Sequence, residues 1–209
     1  SAVVVGGGFI GLEMAENLIQ EQIHTTLLQR SSQVMPPLDY DMACQLHAYL
    51  RSQGLDLRLN SPIASYEEMA DGIKIHLKDG TALETDMVLL AIGVSPDTQL
   101  AKEAGLTLGA KDAIVVDEHL QTSDKDIYAV GDAIQVSHFV SGLEAVIPLA
   151  GPANKQGRIA ADNICGRQST YQGSQGSSII KLFDMTCAST GLNEKTAKAA
   201  DITYDKVFT

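Results

Sequence analysis

Few stretches restrict a fold as tightly as Ser1–Glu13, SAVVVGGGFIGLE. Ala2–Val5 reads as a buried apolar strand running straight into Gly6, Gly8 and Gly11, then into a helix over Phe9–Gln22. This is the G-x-G-x-x-G arrangement with the strand before it and the helix after it that the motif requires. Gly6 permits the tight turn, Gly8 lets backbone approach a pyrophosphate, and Gly11 lets the helix lie close on the strand. The unpaired N–H groups at the helix start then face the phosphates, aided by the positive end of the helix dipole. The reading is a dinucleotide-binding turn. Its competitor is a glycine-rich turn in some other α/β domain.

The stretch after it completes the unit. Ile10, Met14 and Leu18, with Ala15 and Ile19 beside them, give the helix one apolar face, and Thr25–Gln29 follows as a second strand. A site for NAD usually carries an acid about 20 positions beyond the glycines, on the adenosine ribose. Here Gln29 and then Arg30 stand at the strand end. Gln29 hydrogen-bonds a hydroxyl but does not repel a 2′-phosphate, and Arg30 either pairs with that phosphate or points to solvent. The expectation is weak discrimination between NADH and NADPH.

Asp39 is the expected N-cap of a helix to Gln53 that Gly54 stops, and Leu55–Leu59 is a third strand. Ile73–Lys78, with period 2, meets Asp79-Gly80 and resumes at Thr81–Glu84, the pattern of an antiparallel hairpin inserted as part of a β-meander. Met87–Ile92 returns to a continuous apolar run, expected as a parallel strand buried on both faces and ending at Gly93. Further strands are expected at Ile114–Val116 and Ile127–Val130, the second running into Gly131-Asp132-Ala133. A turn at Gly151-Pro152 precedes a helix over Asn154–Ile164, and Gly166–Ser178 reads as a linker. Then come strands at Ile179–Phe183 and Thr186–Thr190, a helix from Asn193 to Ala200 and a strand Ile202–Phe208.

Composition narrows the partners. With 44% hydrophobic and 20% charged residues the chain is globular rather than disordered. A net charge of −11 argues against nucleic acid and anionic membranes. No run of 18 apolar residues spans a membrane and no signal peptide precedes the first strand. Cys44, Cys165 and Cys187 lack C-x-x-C spacing and read as reduced thiols of a cytoplasmic protein, forming neither a metal site nor a redox pair. The chain starts on the first strand of a nucleotide fold and stops within an expected strand, so both ends look cut.

In order along the chain, VVVGGGFIGLE, TTLLQRSSQVMPPLD, LLAIGVSPDTQL, TSDKDIYAVGDA and PLAGPANKQGRIAADNICG resemble the pyridine nucleotide-disulfide oxidoreductases. The similarity is greatest to the NADH oxidase, coenzyme A-disulfide reductase and persulfide reductase branch. It implies an α/β fold: a Rossmann-like NAD(P)-binding domain over residues 1–112 and the C-terminal part of an FAD-binding domain over 113–172. Residues 173–209 would be a linker and the start of an α+β dimerisation domain in a homodimeric parent. The implied cofactors are FAD and NAD(P)H, with hydride passing from nicotinamide to FAD and on to a disulfide, persulfide or oxygen.

By the same resemblance Gly6, Gly8, Phe9, Ile10 and Gly11 would hold the pyrophosphate, with Phe9 gating the nicotinamide pocket. Glu13 would be the flavin-side acid. Ala91, Ile92 and Gly93 would line the nicotinamide. Gly131 and Asp132 would meet the FAD ribitol, a role that suits an acceptor-only carboxylate, and Leu149, Ala150 and Gly151 would lie near the isoalloxazine. The family's FAD glycine motif and redox cysteine have no counterpart in this chain, which is therefore expected to be inactive alone. The alternatives are a ferredoxin- or rubredoxin-reductase-like flavoprotein without a redox cysteine, an FAD-independent NAD dehydrogenase, and a non-catalytic NAD-binding module.

Overall fold

In a computed structural model that describes residues 1–207, the elements run β1 (Ala2–Val5), α1 (Phe9–Gln20), β2 (Thr25–Leu28), α2 (Tyr40–Ser52), β3 (Asp56–Arg58), β4 (Ile63–Met69), β5 (Gly72–Leu77), β6 (Ala82–Thr85) and β7 (Met87–Leu90). They continue with α3 (Gln99–Glu103), β8 (Ile114–Val115), β9 (Ile134–Ser137), β10 (Glu144–Ala145), α4 (Ala150–Ile164), β11 (Ser178–Leu182), β12 (Met185–Ser189) and α5 (Glu194–Ala199). The chain divides into two units, residues 1–93 with 179–187, and residues 94–178 with 188 onward.

The first unit is built around a parallel sheet of order β3-β2-β1-β7. All four residues of β1 are buried, and they alternate between two cores. Ala2 and Val4 face Leu12, Leu27, Leu46 and Leu50 beneath α1 and α2, whereas Val3 and Val5 face Leu28, Ile75 and Leu77 beneath the meander β4-β5-β6. Period-2 side-chain direction thus makes one strand the shared wall of both layers. Strand order reverses between β1 and β7, and in open α/β sheets ligands bind beyond the strand ends at that reversal. The β11–β12 hairpin closes the helical side: Ile180 and Leu182 are buried in the helix-side core, and the Phe183 N–H donates to Glu16 Oε1 at 2.6 Å.

The second unit holds a sheet of order β10-β9-β8, with β8 parallel to β9 and β10 antiparallel to it. α4 packs on it through Ile159 and Ala160, against Leu120, Ile134 and Val136.

Several elements differ from expectation. β4 carries no apolar alternation: six of its seven residues, Ala64–Met69, are exposed, and ladder pairing to β5 alone makes it a strand. β7 is an edge strand, so Met87 (41%) and Leu90 (58%) are exposed rather than buried on both faces. Ile127–Val130 makes a single bridge, Gln121 to Tyr128, and the sheet instead takes Ile134–Ser137, after a 3-10 turn at Gly131–Ala133. Helix α4 starts at Ala150, ahead of the expected turn. Pro152 fits its first turn, where its missing N–H would have had no helical acceptor.

The stretch read as a linker is anchored. Tyr171 is buried, its N–H donates to the Glu118 carbonyl at 2.7 Å, and Ser174 bridges His138. No strand forms over residues 202–207, which find no partner ladder among the described residues; Phe208 lies outside them.

Candidate functional site

The turn between β1 and α1 is shaped by backbone meeting backbone. Gly6 adopts φ +104°, and a Cβ there would strike the Ala91 carbonyl at the end of β7. A Cβ at Gly11 would overlap the Gly6 carbonyl oxygen. Both glycines are therefore demanded by the fold. Gly8 is not: its φ of −85° suits any residue and a Cβ would meet nothing within 4 Å. Gly8 is also the N-cap of α1, no side chain caps the helix, and its first turn holds no acid. The first N–H groups of α1 have no helical acceptor, and the helix dipole adds positive potential there. The turn fits an anionic pyrophosphate.

Around it, the structure brings together most of the residues expected in the first unit. Ala91, Ile92 and Gly93 follow β7, adjacent to Gly6, with Ile92 74% exposed. Ile10 (61%) is open to solvent, while Phe9 is half-buried against the helix-side core. Glu13 is exposed on α1, one turn beyond Phe9.

Gln29 has a different place from the one its position suggests. It is buried, its Oε1 accepts the Gly7 N–H at 3.1 Å, and its Nε2 donates to Ser31 Oγ at 2.7 Å and to the Gln33 carbonyl at 2.9 Å. Its amide N–H groups are spent on protein, so it braces the glycine turn instead of presenting them to a ribose. Arg30 is exposed and has no ion pair or hydrogen bond among the described residues.

The loop after β2 is tied to the same turn. The Met35 N–H donates to the Gly7 carbonyl at 2.7 Å, and the Val34 N–H donates to His47 Nε2 at 3.2 Å. His47 is buried on α2, and burial, then the nearby Arg51 charge, lowers its pKa from the usual 6.5. A lone histidine on a helix gives no sequence signal of this acceptor role.

In the second unit Asp132 is exposed in the Gly131–Ala133 turn, and Leu149 is the N-cap of α4, followed by the exposed Ala150 and Gly151. Gln156, which the sequence motifs do not single out, joins the two segments: its Oε1 accepts the Gly131 N–H at 2.8 Å, and it is 2% exposed. The readable signal was a polar residue on the buried face with Ile159 and Ala160. α4 has no side-chain cap and no acid in its first turn, and a Cβ at Gly151 meets nothing within 4 Å. Together the start of α4 and the Gly131–Ala133 turn offer backbone donors beside a carboxylate acceptor, chemistry suited to phosphate or hydroxyl oxygens.

Residues 1–161 match the family described as pyridine nucleotide-disulphide oxidoreductase. The chain is 36% identical over 93% of its length to the CoA-dependent NAD(P)H sulfur oxidoreductase of Pyrococcus furiosus, spanning 44% of that protein. It is 37% identical over 90% of its length to the NADH oxidase of Methanocaldococcus jannaschii, spanning 42% of it. The crystal structure of reduced CoADR-RHD from Bacillus anthracis superposes with a TM-score of 0.94 at 49% identity, over 98% of this chain and 36% of that one. The chain thus spans less than half the length of these relatives.

Two outcomes follow from this geometry. Gly8→Leu should fold with a loss of at most about 1 kcal/mol yet weaken NADH binding at least tenfold in titration calorimetry. Gly11→Ala should instead cost about 1–3 kcal/mol of stability, because backbone must move. Equal nucleotide affinity in Gly8→Leu and wild type would place the phosphates elsewhere.

His47 sets a pH dependence. Its folded pKa lies below the unfolded value of about 6.5, so between the two the unfolded chain binds more protons and stability rises with pH. The contribution is fully present above pH ~6.5 and is lost as pH falls towards the folded pKa. Urea unfolding should show a smaller decline from pH 7.5 to 5.5 in His47→Gln, which keeps an acceptor for Val34 without titrating. Identical declines would show that His47 is not the group responsible.

Proposed function

The chain belongs to the pyridine nucleotide-disulphide oxidoreductase family, and on that premise we propose that it supplies the nicotinamide dinucleotide site and part of the flavin site of an FAD-dependent NAD(P)H oxidoreductase. The whole protein would pass electrons from NAD(P)H to a disulfide, a persulfide or dioxygen, in keeping with the named activities of its relatives. The observation that carries this reading is Gly8, a glycine that neither backbone nor packing requires, at the open start of α1.

The division of labour we propose follows residue chemistry. Residues 1–112 bind the dinucleotide, 113–172 complete part of the FAD domain, and 173–209 begin the dimerisation domain of a homodimer. The N–H groups at Gly8–Gly11 hold the pyrophosphate, with Gly6 shaping the turn. Phe9, Ile10, Ala91, Ile92 and Gly93 form the nicotinamide pocket, and exclude water from it, beside Glu13. Asp132 accepts from sugar hydroxyls while Gly131 and Leu149–Gly151 offer backbone to the flavin. When bound, the nicotinamide and flavin supply the hydride chemistry; the protein positions and tunes them. The three free thiols, two of them exposed, suit a reducing cytoplasmic setting.

The adenosine end is read by Arg30, since Gln29 is engaged by Gly7, Ser31 and Gln33. NADH and NADPH should bind within about tenfold of each other, a difference of about 1.4 kcal/mol. Arg30→Ala should weaken NADPH about tenfold more than NADH, because only NADPH carries the phosphate a guanidinium pairs with. Calorimetric titration of both nucleotides checks this. Failure of either nucleotide to bind the wild-type chain would overturn the proposal.

A further inference from the structure

Gln156 is an odd choice for its position. It lies on the buried face of α4 with Ile159 and Ala160, where an apolar side chain would satisfy packing. Burying an amide is unfavourable unless both of its ends are hydrogen-bonded. Only one end is. Oε1 accepts the Gly131 N–H at 2.8 Å, which also fixes which end of the amide is oxygen. Nε2 has no partner among the described residues and is not sealed from solvent, although the residue is 98% buried.

The surroundings define what would meet those N–H groups. α4 is a 15-residue helix whose first turn has no side-chain cap and no acid. Pro152 has no N–H, so Ala150 and Gly151 present the backbone donors, and both are exposed. Asp132, next to the residue that Gln156 grips, is an exposed carboxylate, a pure acceptor. Donors from α4 and Gln156 beside an acceptor from Asp132 match a ligand rich in hydroxyl and phosphate oxygens. An apolar or purely anionic ligand would leave one set unused.

We infer that Gln156 is the positioning residue that locks the Gly131–Asp132 turn to α4 and donates its free amide hydrogens to a polyol or phosphate oxygen of the flavin dinucleotide bound there. This rests on the reading of the second unit as a flavin half-site. The sequence motifs mark both segments of that half-site; Gln156 makes them one.

The test uses the ¹⁵N-labelled chain at pH 8, wild type against Gln156→Glu and Gln156→Leu. A glutamate carboxylate still accepts the Gly131 N–H but carries no hydrogens to donate. Gly131 amide exchange should therefore stay within about twofold of wild type in Gln156→Glu and rise at least about tenfold in Gln156→Leu, where the acceptor is gone. Titration with FAD, followed through the Gly131, Ala150 and Gly151 amides, should show affinity at least about fivefold weaker in both variants.

If Gln156→Glu binds FAD as wild type does, the donor role is wrong while the flavin reading stands. Unchanged Gly131 exchange in Gln156→Leu, with its amide spectrum still dispersed, would overturn the lock. If FAD moves none of these amides in wild type, the flavin reading fails and takes the donor role with it.

Discussion

Everything beyond the C-terminal end of β1 depends on how closely three backbone segments approach there. Gly6 passes against the Ala91 carbonyl, and α1 at Gly11 lies on the Gly6 carbonyl. Neither approach tolerates a side chain. Because the backbone is drawn in so far, the first turn of α1 stands at the mouth of the β1–β7 reversal with its N–H groups uncommitted to the fold. Gly7 then anchors the neighbouring loop through both of its backbone groups, to Gln29 and Met35. The glycine turn and the loop after β2 are thus one hydrogen-bonded assembly.

This local arrangement is compatible with anion binding even in a chain of net charge −11. Binding is decided within a few ångströms, where oriented N–H groups and a helix terminus act, while the distant charge is screened within about 10 Å at moderate salt. The first turn of α1 contains no acid, and Arg30 supplies a free cation at the loop. The second unit repeats the logic at α4, again with an uncapped start and no acid in the first turn.

Sequence reading recovered what rests on local rules. The glycine spacing located the turn, alternation over Ile73–Lys78 located β5, and apolar faces located α1 and α2. It failed where a partner decides the outcome. β4 is a strand because β5 offers it a ladder, not because of its own pattern. Ile127–Val130 has a strand's composition but lies ahead of the sharp bend at Gly131, so Ile134–Ser137 takes the sheet position instead. Gln29 stands where a ribose-binding residue belongs, and its further bonds to Gly7, Ser31 and Gln33 are ones only the folded loop reveals. His47 and Gln156 act on backbone groups 13 and 25 positions away, a relation that no spacing rule encodes.

On the proposed function, the uncommitted N–H groups from Gly8 to Gly11 are the pyrophosphate seat. The most direct measurement is titration of the ¹⁵N-labelled chain with ADP-ribose, which carries the pyrophosphate and adenosine but no nicotinamide. Saturable shifts concentrated at the Gly8, Phe9, Ile10 and Gly11 amides and at Arg30 and Ser31 are expected. Saturable shifts that spare the Gly8–Gly11 amides, or no shifts at millimolar ligand, would contradict it.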